Sequence, residues 1–336
     1  MSECGASRKR ARVESLEKPV RDEEFWFEDG TITLVAGDVH FLVYKGILAN
    51  NSPVFNDMFF LPQPLDHDDS RGPTSWATPV VHLSDSPEDL RHLLRLQMPG
   101  KDSRFFTSSD PSFHAISACI RLGHKYQMEH VVQQALEYLT IYYRSDYQNF
   151  GRANAHIPPN FHAEHAVGVV NMARLVDKPS LLAVAMLACC QLEGPVLVAG
   201  FVREDGTPEA LTQEDLGLCI QAKESLIRAS LDLALRVYAP VSSQCRIKPS
   251  CRKLLHMFFN STRKQDGYMT SVNPFLSWSI PLAHFFRTRQ ESPCDECIVQ
   301  LGLSNDIERD ALWKTLPSLL GLEIAGWIGD SQVLPG

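Results

Sequence analysis

Thr31-Ile32-Thr33-Leu34-Val35-Ala36-Gly37-Asp38-Val39-His40-Phe41-Leu42-Val43-Tyr44, followed by Lys45-Gly46-Ile47-Leu48-Ala49-Asn50-Asn51-Ser52-Pro53-Val54-Phe55-Asn56-Asp57-Met58-Phe59, decides the fold. Its first half alternates apolar and polar residues on either side of Gly37-Asp38, so it predicts two strands joined by a tight turn. Glycine at the first central position suits a type II′ hairpin. Ile32 and Leu34 then share one face of the first strand, and Phe41 and Val43 one face of the second. The second half predicts two short helices. Gly46-Ile47-Leu48-Ala49 forms the first and stops at Asn50-Asn51. Ser52 caps the second with Pro53 at its first position, and Phe55, Met58 and Phe59 recur at helical spacing.

Moving outward, Leu61–Thr78 is rich in Pro, Asp, Ser and Gly and predicts an exposed loop. Val80-Val81-His82-Leu83 predicts a third strand. Ser86-Pro87-Glu88-Asp89 combines an N-cap, an N1 proline and an acid at N3, with Leu90, Leu93 and Leu94 as the buried stripe behind it. Phe113, Ile116 and Ile120 predict one amphipathic helix and Val132, Ala135, Leu136 and Leu139 another, with a break near Tyr126-Gln127.

These residues resemble the BTB/POZ domain. The likeness rests on the hairpin, on Tyr44-Lys45-Gly46-Ile47-Leu48 where the family has a His-Lys-x-x-Leu helix start, and on Ser52–Phe55 and Met58-Phe59. Val81–Glu88 matches the family's third strand and next helix start, and Leu122-Gly123-His124-Lys125-Tyr126 its later Leu-Ala-x-Lys-Tyr segment. Tyr44 replaces the usual histidine, and Gln97-Met98 stands where an aromatic commonly ends the helix. The resemblance implies an α+β BTB/POZ fold over residues 25–145, a small mainly antiparallel sheet with helices. It implies two uses, self-association as a homodimer and recruitment of another protein, often a cullin-type ubiquitin-ligase scaffold. The family's docking loop carries a glutamate after a hydrophobic residue. Here Met58-Phe59-Phe60-Leu61-Pro62-Gln63-Pro64 has none, which leaves Met58, Phe59, Phe60 and Leu61 as candidate partner contacts. Some members form a swapped dimer through an extra N-terminal strand, and residues 1–24 are too polar to predict one.

The chain has 336 residues and a formal charge of −8, with 44% hydrophobic and 21% charged residues. That balance excludes wholesale disorder and fibrous architectures. The acidic excess argues against general nucleic-acid binding. Residues 1–24 carry six basic and six acidic side chains and almost nothing to bury, so they predict a disordered tail. Within it Arg8, Lys9, Arg10 and Arg12 form a candidate nuclear localisation signal, or merely a solvated basic cluster. No apolar core follows, so no secretory signal is expected. The longest apolar run, Leu181–Leu192, is too short to span a bilayer and predicts a buried helix. The expected setting is intracellular, nuclear or cytoplasmic, with reduced thiols.

Residues 155–330 alternate apolar stretches with polar breaks and predict an all-helical second domain. Helices are expected over Ala166–Leu175, Leu181–Leu192, Leu216–Tyr238 and Leu254–Phe259, punctuated by Pro158-Pro159 and residues 194–208. The apolar end, with Trp313, Leu316 and Trp327, is expected to pack back onto this domain. The layout resembles BTB proteins numerous in mushroom-forming fungi. The shared features are a Phe25-Trp26-Phe27-Glu28-Asp29-Gly30 start, two cysteine pairs and Trp313-x-x-Leu316-Pro317.

Those pairs, Cys245 with Cys251 and Cys294 with Cys297, carry the best chemistry in the sequence. Four thiolates could close a tetrahedral zinc site. Redox cysteines, or plain buried and surface thiols, are the competing readings. Arg246, Lys248 and Arg252 could moderate the charge of four thiolates or simply face solvent. His162-Ala163-Glu164 and Pro293–Cys297 spell the halves of a zinc deaminase signature without the strand–helix context that would join them, so a surface pair His162/His165 is expected instead. No nucleophile elbow, P-loop or dinucleotide fingerprint occurs, and Cys189-Cys190 reads as core. The sequence thus describes a non-enzymatic protein-interaction module. A substrate adaptor of a cullin ligase is the leading form. A nuclear transcription regulator assembled through its BTB domain and a structural zinc-binding protein are the alternatives.

Overall fold

A computed structural model describes residues 20–61, 65–66, 78–98, 110–147, 157–238, 240–264, 271–276 and 279–327. The basic cluster Arg8–Arg12 and most of the Leu61–Thr78 stretch lie outside these residues.

Among the described residues the first half holds five strands: β1 (Val20–Trp26), β2 (Ile32–Ala36), β3 (Val39–Val43), β4 (Leu65–Asp66) and β5 (Thr78–Leu83). They form one sheet in the order β1-β3-β2-β5-β4. The β2–β3 hairpin closes on Gly37-Asp38 with Ala36 opposite Val39, and Gly37 has φ +57° while Asp38 does not enter the left-handed region, as a type II′ turn requires. Ile32, Leu34, Phe41 and Val43 are fully buried.

Two sequence expectations need correction. The sheet is mixed rather than mainly antiparallel, since β1 runs parallel to β3 and β2 parallel to β5. β5 enters the sheet beside β2 rather than beside β3, the strand that precedes α1 and α2, and runs opposite to β3 and therefore along β2. Residues 20–24, expected in a disordered tail, are part of β1. Its polarity is met by charge rather than by apolar burial. Asp22 takes a 2.7 Å bond from Arg91 Nε and accepts the backbone N–H of Phe25, while Glu24 is held by Arg95 at 2.7 Å.

Helices α1 (Lys45–Asn51), α2 (Pro53–Phe60), α3 (Pro87–Gln97), α4 (Phe113–Lys125) and α5 (Glu129–Tyr142) cover the sheet. The caps stand where the sequence places them. Ser52 Oγ accepts from the Phe55 N–H and also donates to the Tyr126 carbonyl, and Ser86 Oγ accepts from the Asp89 N–H. A bidentate Arg121–Asp89 pair, at 2.7 and 2.8 Å, ties α4 to α3. Gln127, within the predicted break, sits at φ +54°.

The second half is helical: α6 (His165–Leu175), α7 (Pro179–Cys190), α8 (Gly194–Ala199), α9 (Gln213–Tyr238), α10 (Lys248–Lys264), α11 (Ser279–Arg289), α12 (Asp295–Trp313) and α13 (Leu316–Leu319). The region 194–208, expected as a mere break, supplies α8 and a two-strand ribbon, β6 (Phe201–Val202) against β7 (Pro208–Glu209). One hydrophobic core runs through both halves of the chain. Its joint is Phe113, which stacks on His165 at 4.2 Å and meets Phe161 and Phe201 edge-on. Gly168 makes room for that ring, because a Cβ there would lie 2.3 Å from Phe113 Cζ. Polar contacts cross the same joint. His92 Nε2 meets Glu204 Oε1 at 2.5 Å, and Trp313 Nε1 donates to the Ser145 carbonyl at 2.6 Å. Among the described residues no helix is long and apolar enough to cross a membrane.

Candidate functional site

The motif residues of the first half are structural before they are functional. Lys45 donates its backbone N–H to Thr31 and its Nζ to the Phe59 carbonyl, which fixes the start of α1 against the end of α2. Tyr44, in the place of the family's histidine, donates to Asp29 at 2.7 Å, so the substitution keeps a polar anchor at that turn. Lys125 and Tyr126 both donate to Asp85.

The four candidate contacts at the end of α2 separate. Phe59 is core, stacked on Phe55, and Met58 is half-buried against the same core. Phe60 and Leu61 project, at 81% and 63% exposure. The alternation follows from the helix period, which turns residue 59 inward and its successor outward. Phe59 is therefore withdrawn as a surface contact, because the core already occupies its ring.

In the second half, the four cysteines that the sequence paired come together. Their sulfurs all lie within 4.8 Å of one another, and Cys245 Sγ and Cys294 Sγ are 3.6 Å apart. Four sulfurs around a zinc at about 2.3 Å would stand about 3.8 Å apart, so the cluster matches a tetrahedral ligand set closely. Two helix starts and one loop build it. Cys251 lies in the first turn of α10, Cys294 is the N-cap of α12 and Cys297 lies in that helix's first turn, while Cys245 closes a turn on Ser242. Helix N-termini favour negative charge, so both are suited to carry thiolates. Backbone N–H groups point at the sulfurs as well. Cys294 N–H donates to Cys251 Sγ at 3.3 Å, and the Cys297 N–H holds the Cys294 thiol below its ordinary range. Burial pushes the Cys251 thiol up, and that of Cys297 up to about 12. Cys245, Cys251 and Cys297 are buried; Cys294 alone is partly open to solvent.

These four residues form their own small cluster, apart from the main core. Among the described residues they are the one group of three or more metal-ligating side chains within reach of a common ion. They could hold a metal. Arg246, Lys248 and Arg252 are exposed around them.

The two histidines expected at the surface are not a pair of that kind. His165 is buried in the Phe113 stack, its Nδ1 accepts the His162 N–H at 3.0 Å, and burial lowers its pKa to about 4. The aromatic cluster around it, dispersed in sequence, gave no periodic signal of its own. Cys189 and Cys190 are fully buried, as the apolar run suggested, and burial raises the Cys189 thiol. Sequence reasoning missed Arg309. It is buried near the C-terminal end of α12 and donates to the carbonyls of Pro274 and Leu276, holding a loop that no pattern marks. A cleft of about 760 Å³ between α11 and α12, walled by Leu282, Phe286, Ile298 and Leu301, also went unpredicted.

Comparison with curated proteins found no match to this chain. Comparison with family models matched one, the BTB/POZ domain, over residues 25–141. The match takes in the last two residues of β1, strands β2 to β5 and helices α1 to α5 as far as residue 141, and stops before the cysteine cluster, so the segment 25–141 of this chain is a BTB/POZ domain, a protein-interaction module.

Proposed function

We propose that this chain is a non-enzymatic adaptor whose BTB/POZ segment recruits a partner protein, of which a cullin-type ligase scaffold is the leading candidate. One observation carries the proposal: Phe60 and Leu61 stand out from the end of α2, fixed there by buried Phe59 and by the Lys45 bond to its carbonyl. Exposed apolar side chains on a rigid helix end are the kind of anchor that recruitment surfaces use. The helical second half would then hold the cargo. Affinity purification of the full chain followed by mass spectrometry tests this. A cullin should be recovered with the wild type and lost with a Phe60→Ser/Leu61→Ser double variant of unchanged stability. Recovery of no cullin would end the ligase-adaptor form. A nuclear regulator built on the same domain would instead lose nuclear localisation on deletion of residues 8–12.

The cysteine cluster supports a second, separable element of the proposal, a structural zinc. Four sulfurs within 4.8 Å of one another, three of them buried, suit a closed structural site rather than an open catalytic one. Metal analysis should find one zinc per chain, and Cys251→Ser should lose it. Metal-free protein that cannot be reconstituted would overturn this element alone.

A further inference from the structure

The four sulfurs differ in access. Cys245, Cys251 and Cys297 have 5%, 0% and 1% of their surface exposed, whereas Cys294, at the N-cap of α12, is partly open. The neighbour of Cys294 at 3.6 Å is Cys245, which sits on a loop between helices rather than inside one. A disulfide needs its sulfurs at about 2.05 Å, so the pair must close by about 1.5 Å. The loop residue and the cap residue can supply that by turning their side chains. The buried pair Cys251 and Cys297, each within a helix's first turn, is left in place.

We infer that Cys294 and Cys245 form a peroxide-sensitive modification site, at which oxidation to a disulfide would expel the metal from the four-sulfur cluster. This rests on the zinc reading above and deepens it, assigning unlike roles to ligands that tetrahedral geometry alone treats as equivalent. The co-reactant is a hydroperoxide. The Cys294 sulfur attacks the outer peroxide oxygen. An S–O bond forms, the O–O bond breaks, and the departing oxygen takes a proton to leave as water or an alcohol. The Cys245 sulfur then attacks the Cys294 sulfenic sulfur. The S–S bond forms, the S–O bond breaks, and hydroxide leaves with a second proton as water. Two thiolates lose two electrons in total and the peroxide gains them. Only Cys251 and Cys297 would then remain to hold a zinc, too few for a closed four-ligand site, so the ion would be lost to water without itself changing oxidation state.

Full-length zinc-loaded protein treated with one to five equivalents of hydrogen peroxide tests this. Zinc release is followed with a chromogenic chelator, and disulfides are mapped by mass spectrometry after alkylation. The expected result is one zinc released per disulfide formed, with Cys245 joined to Cys294 and with release reversed by a dithiol reductant and added zinc. In a Cys294→Ser variant, peroxide-driven release should fall at least tenfold. Should that variant fail to load metal, the order of alkylation in the wild type decides instead, and Cys294 must be labelled first. Zinc retained under peroxide, or a disulfide between any other pair, would overturn the assignment. If no zinc can be loaded at all, the metal reading fails. Disulfide mapping of the metal-free chain then judges the Cys245–Cys294 pair by itself.

Discussion

His165 shows how one side chain can carry information that its sequence neighbours do not. Its ring lies against Phe113, with Phe161 and Phe201 edge-on and His114 and His162 beyond, so a proton on it would be both desolvated and repelled. The pKa therefore falls from 6.5 to about 4, with burial as the main cause and Glu164 as the one opposing charge. Because the folded state holds the neutral ring, the unfolded chain takes up the proton first. The contribution to stability is complete above pH 6.5 and declines as pH drops from there towards 4, by up to about 1.4 kcal/mol per unit. Urea unfolding at pH 7.5, 6 and 5 should show this decline, and His165→Phe should flatten it even if the variant is less stable at pH 7.5. Equal slopes in both proteins would contradict the assignment.

At the scale of elements, the sequence marked helix starts well and strand partners poorly. Ser52 and Ser86 announce α2 and α3 because a cap is a local event, one oxygen meeting an N–H three residues on. β1 gave no such signal. Its charged residues are paired by Arg91 and Arg95, which lie some seventy residues away in the chain and reach it only once α3 has packed, while Phe25 enters the core. The cysteine cluster joins the N-termini of α10 and α12 and so acts on elements too. The N-cap of α12, Cys294, makes no side-chain cap bond, and a metal would hold that start instead. Stripping the metal with a strong chelator should speed amide exchange at residues 245–254 and 294–301 by at least tenfold. Exchange in strand Ile32–Ala36 should not change. Uniform protection before and after would show that the cluster does not anchor these helices.

For the whole molecule, the decisive feature is the shared core. Phe113 belongs to the segment matched to the BTB/POZ family, yet it packs on Phe161, His165 and Phe201 of the helical half. The two halves should then unfold together. Phe113→Ala is expected to cost about 3–5 kcal/mol. It should lower the midpoint of a single transition, seen at the same denaturant concentration by helix content and by tryptophan fluorescence. Two separated transitions in the wild type would show that the joint is weak. Trp313 extends the same coupling, because from the end of α12 it bonds the Ser145 carbonyl and meets Phe275 edge-on at 4.8 Å.

The sequence by itself determined the hairpin and its turn, the caps of the short helices, the buried apolar run and the pairing of four cysteines. All of these depend on residues close together in the chain or on spacings that one element imposes. Only the tertiary structure decided that β1 is a strand, that the sheet is mixed, that Phe59 is core while Phe60 is exposed, and that His165 is buried. It also set Cys294 apart from the other three sulfurs. Each of these depends on which surfaces meet after the chain has crossed over the sheet and closed its core. Burial and charge pairing between distant segments follow from that meeting and leave no local pattern to read.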